Sequence, residues 1–199
     1  MADVLLPTVE LHGGSTVEAA LEARRSVRQF GPEGLSLATL GQLLWAAQGV
    51  TAADGGRTAP SAGALYPLEL FVVAGCIVGL PSGIYRYTPA KHSIRLQLAG
   101  DRRRELSDAA LEQSAVRDGA AVLVIAAVYA RTSVKYRSRA ERYVHMEAGH
   151  AAQNVYLQAT SLDLGTVVVG AFEDDRVGEV LRLPANVAPL ALLPVGVRP

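Results

Sequence analysis

The run from Ala121 to Tyr129 constrains the fold of this chain most, because nearly every residue in it is apolar and several are β-branched. β-Branched residues pack well on a pleated surface, and a run without polar alternation predicts a fully buried central strand. A second buried strand is predicted at 68–74. The alternating side chains of 83–87 and 94–98 predict a hairpin with its turn at 89–92. The chain is therefore expected to contain a sheet with at least two buried strands.

The predicted helices do not alternate regularly with these strands. The first two, 16–25 and 36–48, both begin beside a hydroxyl residue, which is a good helix N-cap, and both precede the first predicted strand. Further helices are predicted at 101–113, 141–162 and 174–181, and further strands at 165–169 and 189–197. This mixed order indicates an α+β fold.

Composition limits the class of protein. The chain has 199 residues, of which 50% are hydrophobic and 19% charged, and its formal net charge is zero. These values favour one domain over 1–199 and argue against disorder and against nucleic-acid binding through a basic face.

The single cysteine, Cys76, lies in an apolar stretch and is expected to be buried. Without a signal-peptide pattern in 1–10 or an apolar run of about 20 residues, we expect a cytoplasmic protein with no membrane segment.

Arg24-Arg25-Ser26-Val27-Arg28 places three guanidinium groups and a hydroxyl at the end of the first predicted helix. Guanidinium groups are planar bidentate donors that match phosphate oxygens, and the hydroxyl adds a neutral donor. The segment is therefore a candidate anion site. The alternative interpretation is a solvated basic helix end.

A long loop is predicted at 51–63, and its end overlaps the segment Pro60-Ser61-Ala62-Gly63-Ala64-Leu65-Tyr66-Pro67. Small residues allow backbone to lie close to a flat ligand, and prolines stiffen the loop. The alternative is an ordinary turn before a strand.

Glu147, His150 and Asn154 share one face of the predicted helix 141–162 by their spacing. Glu-x-x-His can bind a metal, but the di-iron pattern needs a second such pair, which the sequence lacks, so no metal is expected. A polar network near a subunit interface, with Gln153, is the preferred interpretation. The nucleophile elbow, the phosphate-binding Gly-Lys-Ser/Thr loop and the dinucleotide fingerprint are missing, which disfavours hydrolases, nucleoside triphosphatases and Rossmann dehydrogenases.

In combination, these segments resemble the nitroreductase superfamily, and within it the SagB-type (thiazole/oxazole dehydrogenase-like) branch. The resemblance runs from about residue 20 to the C-terminus and rests on RRSVRQF, LLWAAQGV, RTAPSAGALYPLE, GIYRY, VKY at 134–136, EAGHAAQNVYLQA, LGTVVVGAF and PLALLPVG. It implies a central, mostly antiparallel sheet flanked by helices. It also implies an intertwined homodimer with FMN bound at the interface.

The resemblance assigns cofactor-binding residues in three groups and one further arginine. The group expected to hold the phosphate, ribityl chain and pyrimidine edge is Arg24, Arg25, Ser26 and Arg28. The group expected to line the ring, from the partner chain, is Pro60, Ser61, Ala62, Gly63 and Leu65. Backbone donors near flavin N5 are expected from Val168, Val169 and Gly170, and a further phosphate contact from Arg198. Arg28 is the candidate cation beside the N1–C2 edge, where it would stabilise the reduced anion.

The resemblance also assigns Lys135 and Tyr136 as proton-transfer groups beside the flavin. The alternative is a surface charge after a strand and a packing aromatic. The implied activity is FMN-dependent hydride transfer in a ping-pong cycle through flavin N5. The substrate would be a thiazoline or oxazoline ring in a modified peptide, with O2 as oxidant. Two other functions stay open: reduction of small nitro or quinone compounds by NAD(P)H, and non-catalytic flavin binding.

Overall fold

The computed structural model describes residues 3–199, so Met1 and Ala2 of the expected domain 1–199 lie outside the described residues. Its centre is a seven-stranded sheet in the order β1-β4-β3-β2-β5-β7-β6, in which all neighbouring strands are antiparallel. The strands are β1 (Val4–Leu5), β2 (Leu68–Ala74), β3 (Gly83–Thr88), β4 (Ser93–Ala99), β5 (Ala121–Ala127), β6 (Leu164–Thr166) and β7 (Ala188–Val197). The predicted α+β class with an antiparallel sheet is confirmed.

Helices cover both faces of this sheet. They are α1 (Val17–Ala23), α2 (Leu37–Gln48), α3 (Arg103–Ala109), α4 (Ser114–Asp118), α5 (Tyr129–Tyr136), α6 (Ala140–Ser161) and α7 (Asp174–Leu181). Side chains of α2 and α6 form one hydrophobic cluster with one face of the sheet, and side chains of α3, α4 and α7 form a second cluster with the other face. The two central strands, β2 and β5, are buried along their whole length because both faces are covered.

Three element boundaries differ from the sequence predictions. The helix expected at 101–113 ends at Ala109, because Leu111 and Glu112 adopt left-handed backbone with φ of 57° and 58°. The strand expected to reach Tyr129 ends at Ala127, which pairs with the first residue of β2 and so marks the end of that ladder. Tyr129 instead starts α5, a helix that was not predicted, and the expected strand 165–169 is reduced to β6.

The expected burial of Cys76 is wrong, because this side chain is exposed. Cys76 lies just beyond β2 in the turn that leads to Leu80, where its N–H donates to the carbonyl of Ala120 at 2.8 Å. The sheet has ended at this point, so the apolar neighbours in sequence do not surround the thiol.

Candidate functional site

The arginine segment is fixed to the short edge strand β6. Ser26 forms a parallel bridge to Thr166, and the N–H of Val27 donates to the Thr166 carbonyl at 2.9 Å. The Val27 side chain packs against Gly165, where a Cβ atom would lie only 2.6 Å from Val27 Cγ1. A glycine in β6 thus allows the segment to lie directly on the strand.

Tyr156 of α6 connects three of the predicted cofactor-binding residues. Its hydroxyl lies 2.9 Å from Ser26 Oγ and accepts the N–H of Val168 at 2.9 Å. The guanidinium carbon of Arg24 lies 5.0 Å from the centre of its ring. Tyr156 was missed by sequence reasoning. The sequence feature that could have pointed to Tyr156 is a large aromatic residue with a hydroxyl group on a helix that is otherwise rich in alanine and glycine.

The arginines around Ser26 have no acidic partner. Arg25 Nη1 donates to the backbone carbonyls of Glu22 and Arg24 at 2.8 Å each. Within residues 3–199, none of Arg24, Arg25 and Arg28 forms an ion pair with a carboxylate. The donor set beside Ser26 therefore suits a dianionic group such as a phosphate monoester.

Arg198 lies near this segment, at the start of β6. Its Nε donates to the carbonyl of Leu164 at 3.1 Å and lies 3.9 Å from Oδ1 of Asp163. Leu164 is two residues from Thr166, which bridges to Ser26. Arg198 therefore contacts β6 two residues before the bridge between Thr166 and Ser26. Its Nε already donates a hydrogen bond within the chain.

The backbone donors expected near flavin N5 are only partly free. The N–H of Val168 donates to Tyr156, and the N–H of Val169 donates to the carbonyl of Leu192 at 2.8 Å. Among the described residues, the N–H of Gly170 has no partner, and a Cβ at Gly170 would meet nothing within 4 Å. Within residues 3–199, Gly170 is thus the one of the three with a free N–H, since a side chain engages that of Val168 and the backbone engages that of Val169.

The Pro-Ser-Ala-Gly loop has a constrained backbone. Gly63, Ala64 and Tyr66 have φ of 66°, 54° and 45°, which is the left-handed region that residues with a Cβ rarely occupy. The N–H of Tyr66 donates to Ser61 Oγ at 2.9 Å and holds this shape. Pro60 is exposed, whereas Ser61, Ala62 and Leu65 are half-buried. Strained backbone of this kind is common at ligand sites.

The loop and the predicted proton-transfer pair lie together. A Cβ atom at Gly63 would be 2.9 Å from Tyr136 Oη and 3.0 Å from Lys135 Nζ. Both side chains come from the last turn of α5, and the Tyr136 ring stacks edge-to-face on Tyr143, with centroids 4.8 Å apart. The lysine is exposed and the tyrosine half-buried. The pair was expected after a strand, but the helix directs both side chains to the loop.

Glu147 is a buried carboxyl group beneath the same loop. It is 2% exposed, and its Oε1 has no hydrogen-bond partner among the described residues. Burial raises the pKa of Glu147 to about 7, and Ser61, the positive charge of Arg57 and the Gln48 amide offset part of that rise. Glu147 therefore holds a proton in weakly acidic solution, where an exposed glutamate would have lost it.

Replacing Glu147 with glutamine is expected to remove a pH-dependent loss of stability. The folded-state pKa of about 7 lies above the ordinary value of 4.5, so the wild-type fold loses stability as pH rises between these values. The full loss is about 3 kcal/mol. Urea unfolding at pH 5 and pH 8 covers most of this loss: relative to wild type, the free energy of unfolding of E147Q should rise by about 2.5 kcal/mol between the two pH values. An advantage that is equal at both pH values would contradict the raised pKa.

The two candidate half-sites lie on opposite faces of α6. Asn154 follows Glu147 by nearly two helical turns and donates through Nδ2 to the Thr58 carbonyl at 3.2 Å, so both residues face the loop. Tyr156 follows Glu147 by two and a half turns, which puts the arginine segment on the other side, roughly 13 Å along the helix. The helix itself thus separates the arginine half-site (24–28, 156 and 168) from the loop half-site (60–66, 135 and 136).

No group of three or more histidine, cysteine, aspartate or glutamate side chains within 3–199 is placed to hold a metal ion. No helix in this part of the chain has the length and apolar character to span a membrane.

Comparisons with known proteins agree on the family. The Nitroreductase family model matches residues 21–197. A protein of Methanocaldococcus jannaschii assigned as a nitroreductase is 47% identical over 194 residues, which is 98% of this chain and 96% of that protein. The crystal structure of a protein from Ralstonia eutropha JMP134, also assigned as a nitroreductase, superposes with a TM-score of 0.86 at 30% identity. It covers 99% of this chain and 90% of that one.

A third similar structure is the Escherichia coli microcin synthetase McbBCD complex with truncated pro-MccB17 bound. Its matching chain superposes with a TM-score of 0.75 at 25% identity, and the alignment covers 96% of this chain and 77% of that chain.

Proposed function

Since this chain belongs to the nitroreductase family of oxidoreductases, we propose that it is an FMN-dependent oxidoreductase whose cofactor lies between the two subunits of an intertwined homodimer. The observation that carries this proposal is the arginine half-site, in which three guanidinium groups around Ser26 have no carboxylate partner in residues 3–199. A dianionic phosphate is the ligand that such a donor set would neutralise.

The separation of the half-sites supports the proposed homodimer. One flat cofactor cannot contact the arginine half-site and the loop half-site of the same chain, because α6 lies between them. A second copy of the chain could bring its own loop to the arginines of the first. Each of the two sites would then combine the arginines of one subunit with the loop of its partner.

When bound, FMN would supply hydride transfer, and the protein would supply position and charge. Arg24 and Arg198 would neutralise the phosphate, Arg28 would lie beside the N1–C2 edge of the ring, and Ser26 would remain fixed by Tyr156. The left-handed backbone at Gly63 exposes main chain without a Cβ, which lets the partner's loop approach a flat ring closely.

For the substrate, we propose a thiazoline or oxazoline ring in a modified peptide. Oxidation of such a ring removes a hydride, which the flavin would accept, and a carbon-bound proton, which the free amine of Lys135 or the phenolate of Tyr136 would take. Two observations support this choice: the contact of this pair with the loop, and the similarity to a chain of the microcin synthetase complex.

NAD(P)H-dependent reduction of nitro or quinone compounds is the second candidate. It is favoured by the two relatives of 47% and 30% identity, both of which are assigned as nitroreductases. Lys135 and Tyr136 would then protonate the reduced product rather than accept a proton. The direction of proton transfer therefore separates the two candidates.

Reconstitution with FMN tests the proposal. The purified protein, titrated with FMN, is expected to bind one FMN per chain, and the bound flavin should then be reduced under anaerobic conditions by either NAD(P)H or an azoline peptide. Reduction by the peptide alone selects azoline oxidation, and reduction by NAD(P)H alone selects the reductase. Bound flavin that neither compound reduces would support a non-catalytic flavin-binding protein. A protein that stays colourless would contradict all three.

Adding one methyl group at Gly165 is expected to weaken FMN binding about tenfold, as small shifts in the position of binding groups commonly do. The alanine Cβ would clash with Val27 and push the arginine segment away from β6. Fluorescence titration of FMN against Gly165→Ala measures this. Gly178→Ala is the matched control, because a Cβ there would meet nothing within 4 Å. Equal affinities in both variants would show that the position of the segment does not matter.

A further inference from the structure

A cavity of about 410 Å³ lies directly beside the loop half-site. Its wall includes Leu65 and Tyr66 of the loop, Arg131 of α5 and residues of β2 and β3. Arg131 precedes Lys135 by four residues, so the two side chains lie on the same face of α5. A molecule that contacts Arg131 in this cavity would therefore lie about one helical turn from Lys135, which does not itself line the cavity. The volume falls in the range of small-molecule sites.

Positive charge dominates the wall of the cavity. Its charged residues are Arg57, Arg86, Arg131 and Glu69, which gives three positive charges against one negative. Arg86 Nη2 pairs with Glu69 Oε2 at 2.8 Å, and Arg131 pairs with Oε1 of the same carboxylate. The side chains of Arg86 and Arg131 remain 49% and 40% exposed, so both still offer donors to the cavity. The net charge of the wall is +2.

A buried amide on the same wall holds one of the arginines in place. Gln48 is 0% exposed, and its Oε1 accepts from Arg57 Nη1 at 2.8 Å. Its Nε2 has no hydrogen-bond partner within residues 3–199. The same amide lowers the pKa of Glu147, whose Oε1 is also buried without a partner in this part of the chain, so this donor is directed at the protein's own carboxyl group. The Arg57 guanidinium itself is held 4.2 Å over the ring of Tyr66, so its position is fixed.

We infer that this cavity binds the oxyanion of the substrate, a carboxylate or a phosphate, through Arg57, Arg86 and Arg131. The inference rests on the proposed function, because it makes the cavity the part of the reaction site that selects substrates. Glu69 holds two of the arginines in place while leaving the wall positive. An anionic substrate bound there would direct its reacting group toward Lys135 and Tyr136.

Matched ligands test this inference by binding rather than turnover. The oxidised FMN-loaded protein is titrated by calorimetry with 4-nitrobenzoate, 4-nitrobenzylphosphonate and the neutral isostere 4-nitrobenzamide. At least one anion is expected to bind about tenfold more tightly than the amide, as a charge-assisted hydrogen bond allows. Preference between the two anions identifies carboxylate or phosphate chemistry. Equal affinity for the amide and both anions would overturn the inference. The same titration of FMN-free protein keeps this result separate from a failure to bind FMN.

Opposite effects of two variants distinguish an anion site from a merely structural ion network. Arg86→Gln should lose most of the preference for the anion, while Glu69→Gln should bind the anion at least as tightly as wild type, because it raises the net charge of the wall. Arg117→Gln, which removes an arginine of α4 paired with Asp118, should change nothing. Thermal melting checks that each variant is folded. Equal loss of affinity in Arg86→Gln and Glu69→Gln would overturn the inference. If Glu69→Gln fails to fold, the anion-to-amide ratio of Arg86→Gln decides, because Arg131 still pairs with Glu69 there.

Discussion

Replacing Arg24 and Arg28 together with glutamine is expected to weaken FMN binding at least about 100-fold, because each charge-assisted hydrogen bond, from Arg24 to the phosphate and from Arg28 to the N1–C2 edge, contributes roughly 1.5–3 kcal/mol. The variant should still fold. Neither arginine pairs with a carboxylate in the described part of the chain, so their removal leaves no buried charge without a partner. Equilibrium titration of FMN, followed by flavin fluorescence, measures the change.

The matched control for this variant is Arg117→Gln combined with Arg176→Gln. These arginines lie on α4 and α7, are exposed, and pair with Asp118 and Glu173. The control removes the same amount of positive charge from the chain, so it corrects for long-range electrostatics. Control and test variants with the same FMN affinity as wild type would rule out the arginine half-site as the phosphate site.

Replacing Lys135 with alanine is expected to lower turnover about 10²- to 10⁴-fold while FMN stays bound, which is the usual contribution of a positioned acid or base. Lys135 is exposed, so its loss should not affect stability. Tyr136→Phe removes only the hydroxyl and keeps the ring packing on Tyr143. Stopped-flow measurement of flavin reduction in each variant separates the proton-transfer step from cofactor binding.

The other lysine provides the control. Lys91 pairs with Asp3 at 3.5 Å near β4, and Lys91→Ala is expected to leave turnover unchanged. If Lys135→Ala turns over azoline peptides as fast as wild type, Lys135 is not the base. If Tyr136→Phe alone is slow, the proton goes to the tyrosine hydroxyl.

Most of the sheet could be predicted from the sequence, because the hydrophobic pattern within each strand is enough to identify it. β5 is an uninterrupted apolar run, β2 is an apolar run with one glutamate, and the β3–β4 hairpin shows alternating side chains around a turn. The start of α5 at Tyr129 could not be predicted in this way. The strand ends there because β2 begins opposite Ala127, which is a property of the pairing rather than of either segment.

Only part of the candidate site could be predicted, because many of its contacts join residues that are distant in sequence. Spacing along α6 was enough to place Glu147 and Asn154 on one face, and both contact the loop region. The role of Tyr156 was not readable, because its partners Ser26 and Val168 are 130 and 12 residues away in sequence. The cavity beside the loop was also missed, since its arginines come from three separate segments. A glutamate inside the otherwise apolar run of β2 was the one local signal for it.

The central claim is that each FMN site combines the arginines of one subunit with the loop of the other. Co-expression of two differently tagged variants tests it directly. Arg24→Gln/Arg28→Gln disables the arginine half-site, and Gly63→Val disables the loop half-site by placing a branched side chain on left-handed backbone. Each variant alone should bind no FMN. The mixed dimer, isolated through both tags, should bind one FMN per dimer, because one of its two sites has intact arginines and an intact loop. A mixed dimer without FMN would show that both half-sites must belong to the same chain, which would contradict the claim.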